Sequence, residues 1–255
     1  MRKILQNLLR SLSRAILGKY KPEIVAITGS IGKTTTKEAC FSVLGSKFNV
    51  RRSEKNYNTE IGVPLGIIGI ANAPNRSVVR WLGVFLKAAW LILFPVRSYP
   101  RILILECAAD RPGDIRQIMS FVTPTIGIIT TISEVHLANF TKFSQLIAEK
   151  RKVIEAVPAH GHVVLNFDEP RLRKAAEKGH GKLMTYGANA EDVDVKAQDA
   201  KVMIKDGEVG LYFKLLYQGT ATPIFVKGCP GHHVYSLLAA AVCGFVYKLT
   251  PLEIA

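Results

Sequence analysis

The chain has 255 residues, of which 48% are hydrophobic, enough to bury a sizeable core and to exclude a disordered tail. Its net charge of +14 calls for an acidic partner, anionic lipid or a polyphosphate, while the lack of a basic stripe interleaved with aromatics argues against nucleic acid. Cys40, Cys107, Cys229 and Cys243 lie far apart without a C-x-x-C pair, so neither a metal knuckle nor a disulfide framework is indicated and a reducing, cytoplasmic setting is expected.

The N-terminal "MRKILQNLLRSLSRAILGKYKP" begins like a signal peptide, but Arg10 and Arg14 interrupt the apolar core and no small-residue cleavage site follows. Ile4, Leu5, Leu8, Leu9, Leu12, Ile16 and Leu17 recur at helical spacing, with Arg2, Lys3, Arg10, Arg14 and Lys19 available for the other side. This predicts a basic amphipathic helix over 1–21, lying either on the inner face of a membrane or against its own domain or a neighbour.

Next comes "VAITGSIGKTTTKE", a strand running into a glycine turn and then a helix. Gly29 and Gly32 let the backbone curl so that the N–H groups of Ser30, Ile31 and Gly32 point inward, towards an anion at the positive end of the helix. Lys33 adds a cation, Thr34 offers a hydroxyl to a phosphate-bound Mg²⁺, and Thr35 follows in the same turn. The spacing is G-x-x-G-K-T-T, shorter than the general phosphate loop, and predicts a nucleotide triphosphate cradle. An ordinary strand-to-helix turn has no need of a lysine beside consecutive threonines.

Trp81 to Val96 forms a second apolar stretch, shorter than the ~20 residues needed to span a bilayer and carrying Lys87. Its two tryptophans and the flanking Arg80 and Arg97 fit either an interfacial helix or a buried helix inside an insertion over about 72–99. Apolar runs at 24–28, 102–105, 125–130 and 163–166 alternate with helical segments such as 35–44 and 143–157, the pattern of a mostly parallel sheet flanked by helices. From 194 to 227 the pattern turns strand-like, with Asp206-Gly207 as a hairpin turn, and predicts a small antiparallel subsheet near the C-terminus. Residues 232–249 read as a helix, and "TPLEIA" starts another. The fold class is therefore α/β.

Glu106 follows the apolar run "RILIL", which puts its carboxylate at the C-terminal end of a strand, where open α/β sheets build their sites. His136 follows "PTIGIITTI" in the same way. "TGSIGKTTTKE", "KNYNTEIGVPL", "LECAADRPGDI", "SEVHLANF" and "AEKRKVIEAV" occur in the order found in the Mur ligases. From about Pro22 onward the chain resembles the central ATPase domain of that family, most closely its MurF-type branch, the UDP-N-acetylmuramoyl-tripeptide–D-alanyl-D-alanine ligases.

The resemblance implies ATP-driven amide formation through an acyl phosphate, with a UDP-muramoyl-peptide and a D-amino-acid dipeptide as substrates and Mg²⁺ as cofactor. It implies that Glu106 is a Mg²⁺ ligand, that His136 helps bind a second metal, and that Lys150 is carbamylated and faces the metals together with Thr34. Asn56, Asn58 and Thr59 would contact substrate, with Thr59 replacing the family's usual asparagine. Asn166 and Asp168, in "LNFDEP", and His232 in "GHHVYSLLAAA" would lie near the nucleotide, although His233 and Ser236 stand where the family has asparagines. Ala108 takes a family glycine position. On this reading residues 22–255 are the central ATP-binding domain, the UDP-sugar and C-terminal domains are absent, and the chain alone binds Mg-ATP weakly and ligates poorly or not at all. Another Mur-like ligase acting on glutamate, folate or a polymer, and a non-catalytic membrane scaffold, stay open beside it. The lack of an N-K-x-D signature argues against a switch GTPase.

Overall fold

The structure is a computed structural model that describes residues 2–54, 57–72, 74, 77–133 and 139–255. Two expected site residues, Asn56 and His136, fall outside those described. Nine strands form one sheet in the order β2-β3-β1-β4-β5-β6-β7-β8-β9. β1 (Glu23–Thr28), β2 (Val50–Arg52), β3 (Ile102–Glu106), β4 (Ile126–Ile129), β5 (His162–Asn166), β6 (Lys182–Gly187) and the start of β7 (Val195–Lys205) pair in parallel. β8 (Glu208–Tyr217) and β9 (Thr220–Lys227) are antiparallel. The expected antiparallel part is thus continuous with the main sheet. Asp206-Gly207 makes the first hairpin turn as the sequence predicts, and Gln218-Gly219 makes the second; all four residues have the positive φ that such turns require.

The inner strands are apolar at nearly every position because both faces are covered. Val25 and Ile27 of β1 face a layer built from α2 (Lys33–Gly45) and α8 (Val234–Val246). Ile24 and Ala26 face the other layer, which holds α1 (Arg2–Tyr20), α3 (Gly62–Ile68), α4 (Val78–Leu93), α5 (Asp114–Met119) and part of α6 (Phe143–Glu155). α7 (Pro170–Ala176) covers β5 in a smaller cluster, and α9 (Pro251–Ile254) packs on α8. The N-terminal helix is docked on its own domain: Leu9 and Ile16 are fully buried, and its C-terminal Lys19 and Tyr20 donate to carbonyls of the last turn of α4.

β1 lies between β3 and β4; the chain first goes to the outer strand β2, returns to β3 beside β1, and then crosses to β4 on the other side. This is a topological switch point, and the crevice it opens at the C-terminal strand ends is where such sheets take ligands. The glycine turn sits at that crevice.

Candidate nucleotide site

The turn after β1 is shaped by the residues that follow β4. Ser30 N donates to Thr131 O at 2.8 Å, and the Thr130 hydroxyl donates to Ile31 O at 2.6 Å. Ser30 and Ser133 bond each other twice, hydroxyl to carbonyl and N–H to hydroxyl. Gly29 has φ 150°, and a Cβ there would lie 1.9 Å from Thr130 Oγ1. Gly32 has φ 85° and begins α2 without a side-chain cap, which leaves the helix N-terminus facing the crevice.

Four segments distant in sequence meet in a cleft of about 330 Å³: the turn with Lys33, Thr34 and Thr35; Asn58; Glu106 with Ala108 to Asp110; and Leu146 with Lys150. Lys33 Nζ donates to Gly29 O at 3.0 Å and Ser30 O at 3.2 Å, and Lys150 Nζ donates to the same Gly29 O at 2.7 Å. Two cations thus share one carbonyl. Burial lowers both lysines' pKa values; Lys150 falls from 10.5 to about 8, first through burial and then through the charge of Lys33. An anion in the cleft relieves this repulsion, and a partly neutral Lys150 amine is nucleophilic near neutral pH.

Glu106, 2% exposed, accepts from the Thr34 hydroxyl at 3.0 Å through Oε2 and from Asn58 Nδ2 at 3.2 Å through Oε1. Lys37 Nζ, one turn further along α2, is 3.8 Å from Oε2 and donates to Ser53 O. The Ser53 hydroxyl accepts from Glu106 N at 3.2 Å, so the glutamate is fixed by both its backbone and its carboxylate. Beside Lys150, the Glu149 carboxylate accepts from the N–H groups of Gly113, Ile115 and Arg116 and ties α6 to the start of α5.

The other expected residues lie apart from the cleft lining. Ser30 and Ile31 belong to the turn, but their N–H groups donate to Thr131 and the Ser30 hydroxyl donates to Ser133 O, just past β4. Thr59 lines a neighbouring pocket of about 550 Å³ together with Lys3, Gln6, Glu60 and Asp110. Asn166 is buried and its Oδ1 accepts from Asp168 N. Asp168 accepts from the backbone N–H groups of Ala188, Asn189 and Ala190 and from the Tyr235 hydroxyl. Burial works against its charge, but these donors hold its pKa below the usual value. Both side chains thus fasten a turn. His232 is exposed on a 3-10 turn, edge-on to His233. Ser236 reaches the phosphate-loop helix: its hydroxyl accepts from Thr36 at 3.1 Å. Among the described residues, no group of three His, Cys, Asp or Glu side chains is arranged to hold a metal.

Sequence reasoning missed the clamp formed by Thr130, Thr131 and Ser133, and also Lys37 and Asp110. The "TTIS" run following an apolar strand was the available signal for the clamp. Also missed was the meeting of Cys40 and Cys243, whose buried thiols lie 3.8 Å apart between α2 and α8.

Residues 91–244 match the family model for the Mur ligase middle domain. The chain is 25% identical over 247 residues to UDP-N-acetylmuramoyl-tripeptide–D-alanyl-D-alanine ligase of Bacillus subtilis (strain 168), covering 97% of this chain and 46% of that protein. It is similar in fold to MurF ligase from Thermotoga maritima, solved in complex with ADP, with a TM-score of 0.77 and 24% identity over 98% of this chain and 52% of that one. MurF from Acinetobacter baumannii has the same TM-score at 20% identity, with 98% of this chain and 48% of that one covered. The chain spans about half the length of these relatives. On the match to more than half its length, the chain belongs to the Mur ligase family.

Proposed function

We propose that the chain is the ATP-binding part of a MurF-type ligase, which joins a D-alanyl-D-alanine dipeptide to a UDP-muramoyl-tripeptide in the cytoplasm during peptidoglycan precursor synthesis. The observation that carries this is the convergence of Lys33, Thr34, Glu106 and Lys150 in one cleft at the switch point of the sheet. Residues 22–255 form the central domain on this reading, with 72–99 as an insertion and 1–21 as a preceding basic helix.

In the reaction, a carboxylate oxygen of the tripeptide attacks the γ-phosphorus of ATP as the bond to ADP breaks. The dipeptide amine then attacks the acyl carbon, and phosphate leaves. Such transfer asks the protein chiefly for positioning and for positive charge. The uncapped first-turn N–H groups of α2, from Lys33 to Thr35, hold the phosphate chain; Lys33 Nζ shifts from the Gly29 and Ser30 carbonyls onto it. Asn58 orients Glu106, and Leu146 keeps water from one side of the cleft.

The site's donor set suits Mg²⁺. Cis oxygen ligands of an octahedral Mg²⁺ at 2.0–2.1 Å lie about 2.9 Å apart, and Thr34 Oγ1 and Glu106 Oε2 are 3.0 Å apart. These two residues would hold the ion, which neutralises phosphate charge when bound. Lys150, as a carbamate, would turn a cation into a second anionic ligand, and its depressed pKa favours the neutral amine that reacts with CO₂. The roles of His136, Asn56 and Thr59 towards metal and substrate, and of Asn166 and His232 towards the nucleotide, are proposed on the family resemblance alone.

Hydroxylamine, which intercepts an acyl phosphate as the hydroxamate, tests the proposal without the amine substrate. With Mg-ATP, UDP-muramoyl-tripeptide should give ADP and a hydroxamate detectable by mass spectrometry even at slow turnover, and Glu106→Gln should give none. A hydroxamate formed instead on a folate or another glutamyl acceptor moves the chain to a different Mur-like ligase. Bound ATP with no hydroxamate from any acceptor refutes ligation.

A further inference from the structure

Helix α4 has two opposite apolar faces, and only one is used. Val84, Ala88 and Leu91 are buried against the rest of the layer. At 100° per residue, Val78, Val79, Leu82, Leu86, Trp90 and Leu93 share the opposite side, with exposures from 55% for Trp90 to 81% for Val78. Phe94, just past the helix, extends the stripe at 46% exposure. An apolar stripe of this length on a folded domain marks a contact surface.

The surroundings of the stripe identify the contact. The sequence has no acidic residue from 61 to 105 or from 1 to 22, while those segments carry five and six lysines and arginines. Arg80 borders the stripe on one edge, next to Lys87, whose ammonium donates to Gly69 O. Beyond the C-terminal end of α4, Lys21 and Arg97 help line a cleft of about 660 Å³. The surface is a convex helix with a cationic rim, so a second copy would set like charges against each other. The 16-residue helix is about 24 Å long, and none of the described helices is long and apolar enough to cross a membrane. It fits a helix lying in the plane of an anionic bilayer, with tryptophan at the interface.

We propose that α4 and its cationic rim dock the chain peripherally on an anionic lipid surface, the 78–94 stripe at the acyl boundary and Arg80, Lys21 and Arg97 among the phosphates. The proposal is independent of the ligase reading, since α4 contributes nothing to the cleft that holds Lys33 and Glu106.

Trp81 and Trp90 are the chain's two tryptophans, and both lie on α4, so selectively excited tryptophan fluorescence reports this helix alone. The full chain should co-sediment with vesicles of equimolar phosphatidylcholine and phosphatidylglycerol, with blue-shifted emission, at least about 10-fold more tightly than with phosphatidylcholine alone, and more weakly as salt rises. Leu82→Glu with Leu86→Glu should reduce that binding at least about 10-fold, with an unchanged thermal unfolding curve because both side chains are exposed. No binding by the folded wild-type chain overturns the proposal. So does binding that the double variant retains, or a dimer that the double variant dissociates while wild-type protein ignores vesicles.

Discussion

Gly29→Ala tests how the phosphate turn is held. The added methyl carbon would lie 1.9 Å from Thr130 Oγ1 and 3.2 Å from both Cβ and N of Thr130. No rotation of the alanine avoids this, so either the turn moves off β4 or the Thr130 hydroxyl swings away from Ile31 O. Overpacking of this kind costs about 1–3 kcal/mol, and the loss of a buried hydrogen bond about 1–3 kcal/mol. Alanine at φ 150° adds about 1–3 kcal/mol of backbone strain. Together these come to about 3–9 kcal/mol, a large part of the stability of a domain this size. Urea unfolding followed by circular dichroism measures it. Thr130→Ala removes the colliding hydroxyl, so Gly29→Ala/Thr130→Ala should be more stable than the sum of the single effects by at least about 1 kcal/mol. A Gly29→Ala cost below about 1 kcal/mol, or strict additivity with Thr130→Ala, would refute the packing argument.

Three further expectations follow from the same geometry. Glu106→Gln should lower ATP affinity at least about 10-fold with Mg²⁺ and much less with EDTA, because it removes the anionic half of the proposed metal pair; calorimetry in both buffers decides. Lys150 has a folded pKa of about 8 against an ordinary 10.5, so the unfolded chain binds its proton more readily across that window. The penalty is therefore complete below pH 8 and fades as pH rises towards 10.5, on the order of 3 kcal/mol. In CO₂-free buffer the urea-derived stability of wild type minus Lys150→Met should rise through that range, and a flat difference contradicts the assignment. Asp168→Asn should cost about 1–2 kcal/mol, since the amide keeps the shape but accepts more weakly from Ala188, Asn189, Ala190 and Tyr235; unchanged unfolding would show that the latch is idle.

The phosphate turn was legible because its chemistry is local: strand, glycines, lysine and threonines stand next to one another. Glu106 was legible as the polar end of an apolar strand, and Lys150, within the ambiguous "EKRK", through family spacing. What stayed hidden depends on pairing across the sheet. The grip of Thr130 on Ile31, the anchoring of Glu106 by Ser53 and Asn58, and the meeting of Cys40 with Cys243 join residues from 48 to 203 positions apart, and no local pattern encodes them. Asp168 shows the converse, since a motif-like "NFD" is spent on fastening a turn. The letters of α4 fitted both a buried and an interfacial helix because one face is buried and the opposite apolar face is exposed. Continuity of the antiparallel strands with the main sheet rests on β6 pairing in parallel with the start of β7 at two positions, below what sequence patterning resolves.

The most direct test of the central claim is calorimetric titration of the chain with Mg-ATP, wild type beside Lys33→Ala. The wild type should bind weakly but measurably, and removing Lys33 should cost at least about 10-fold, because a cation on the phosphates in a half-buried cleft contributes on the order of 1.5–3 kcal/mol. Equal affinities, or a folded wild-type chain that binds no Mg-ATP, would contradict the claim.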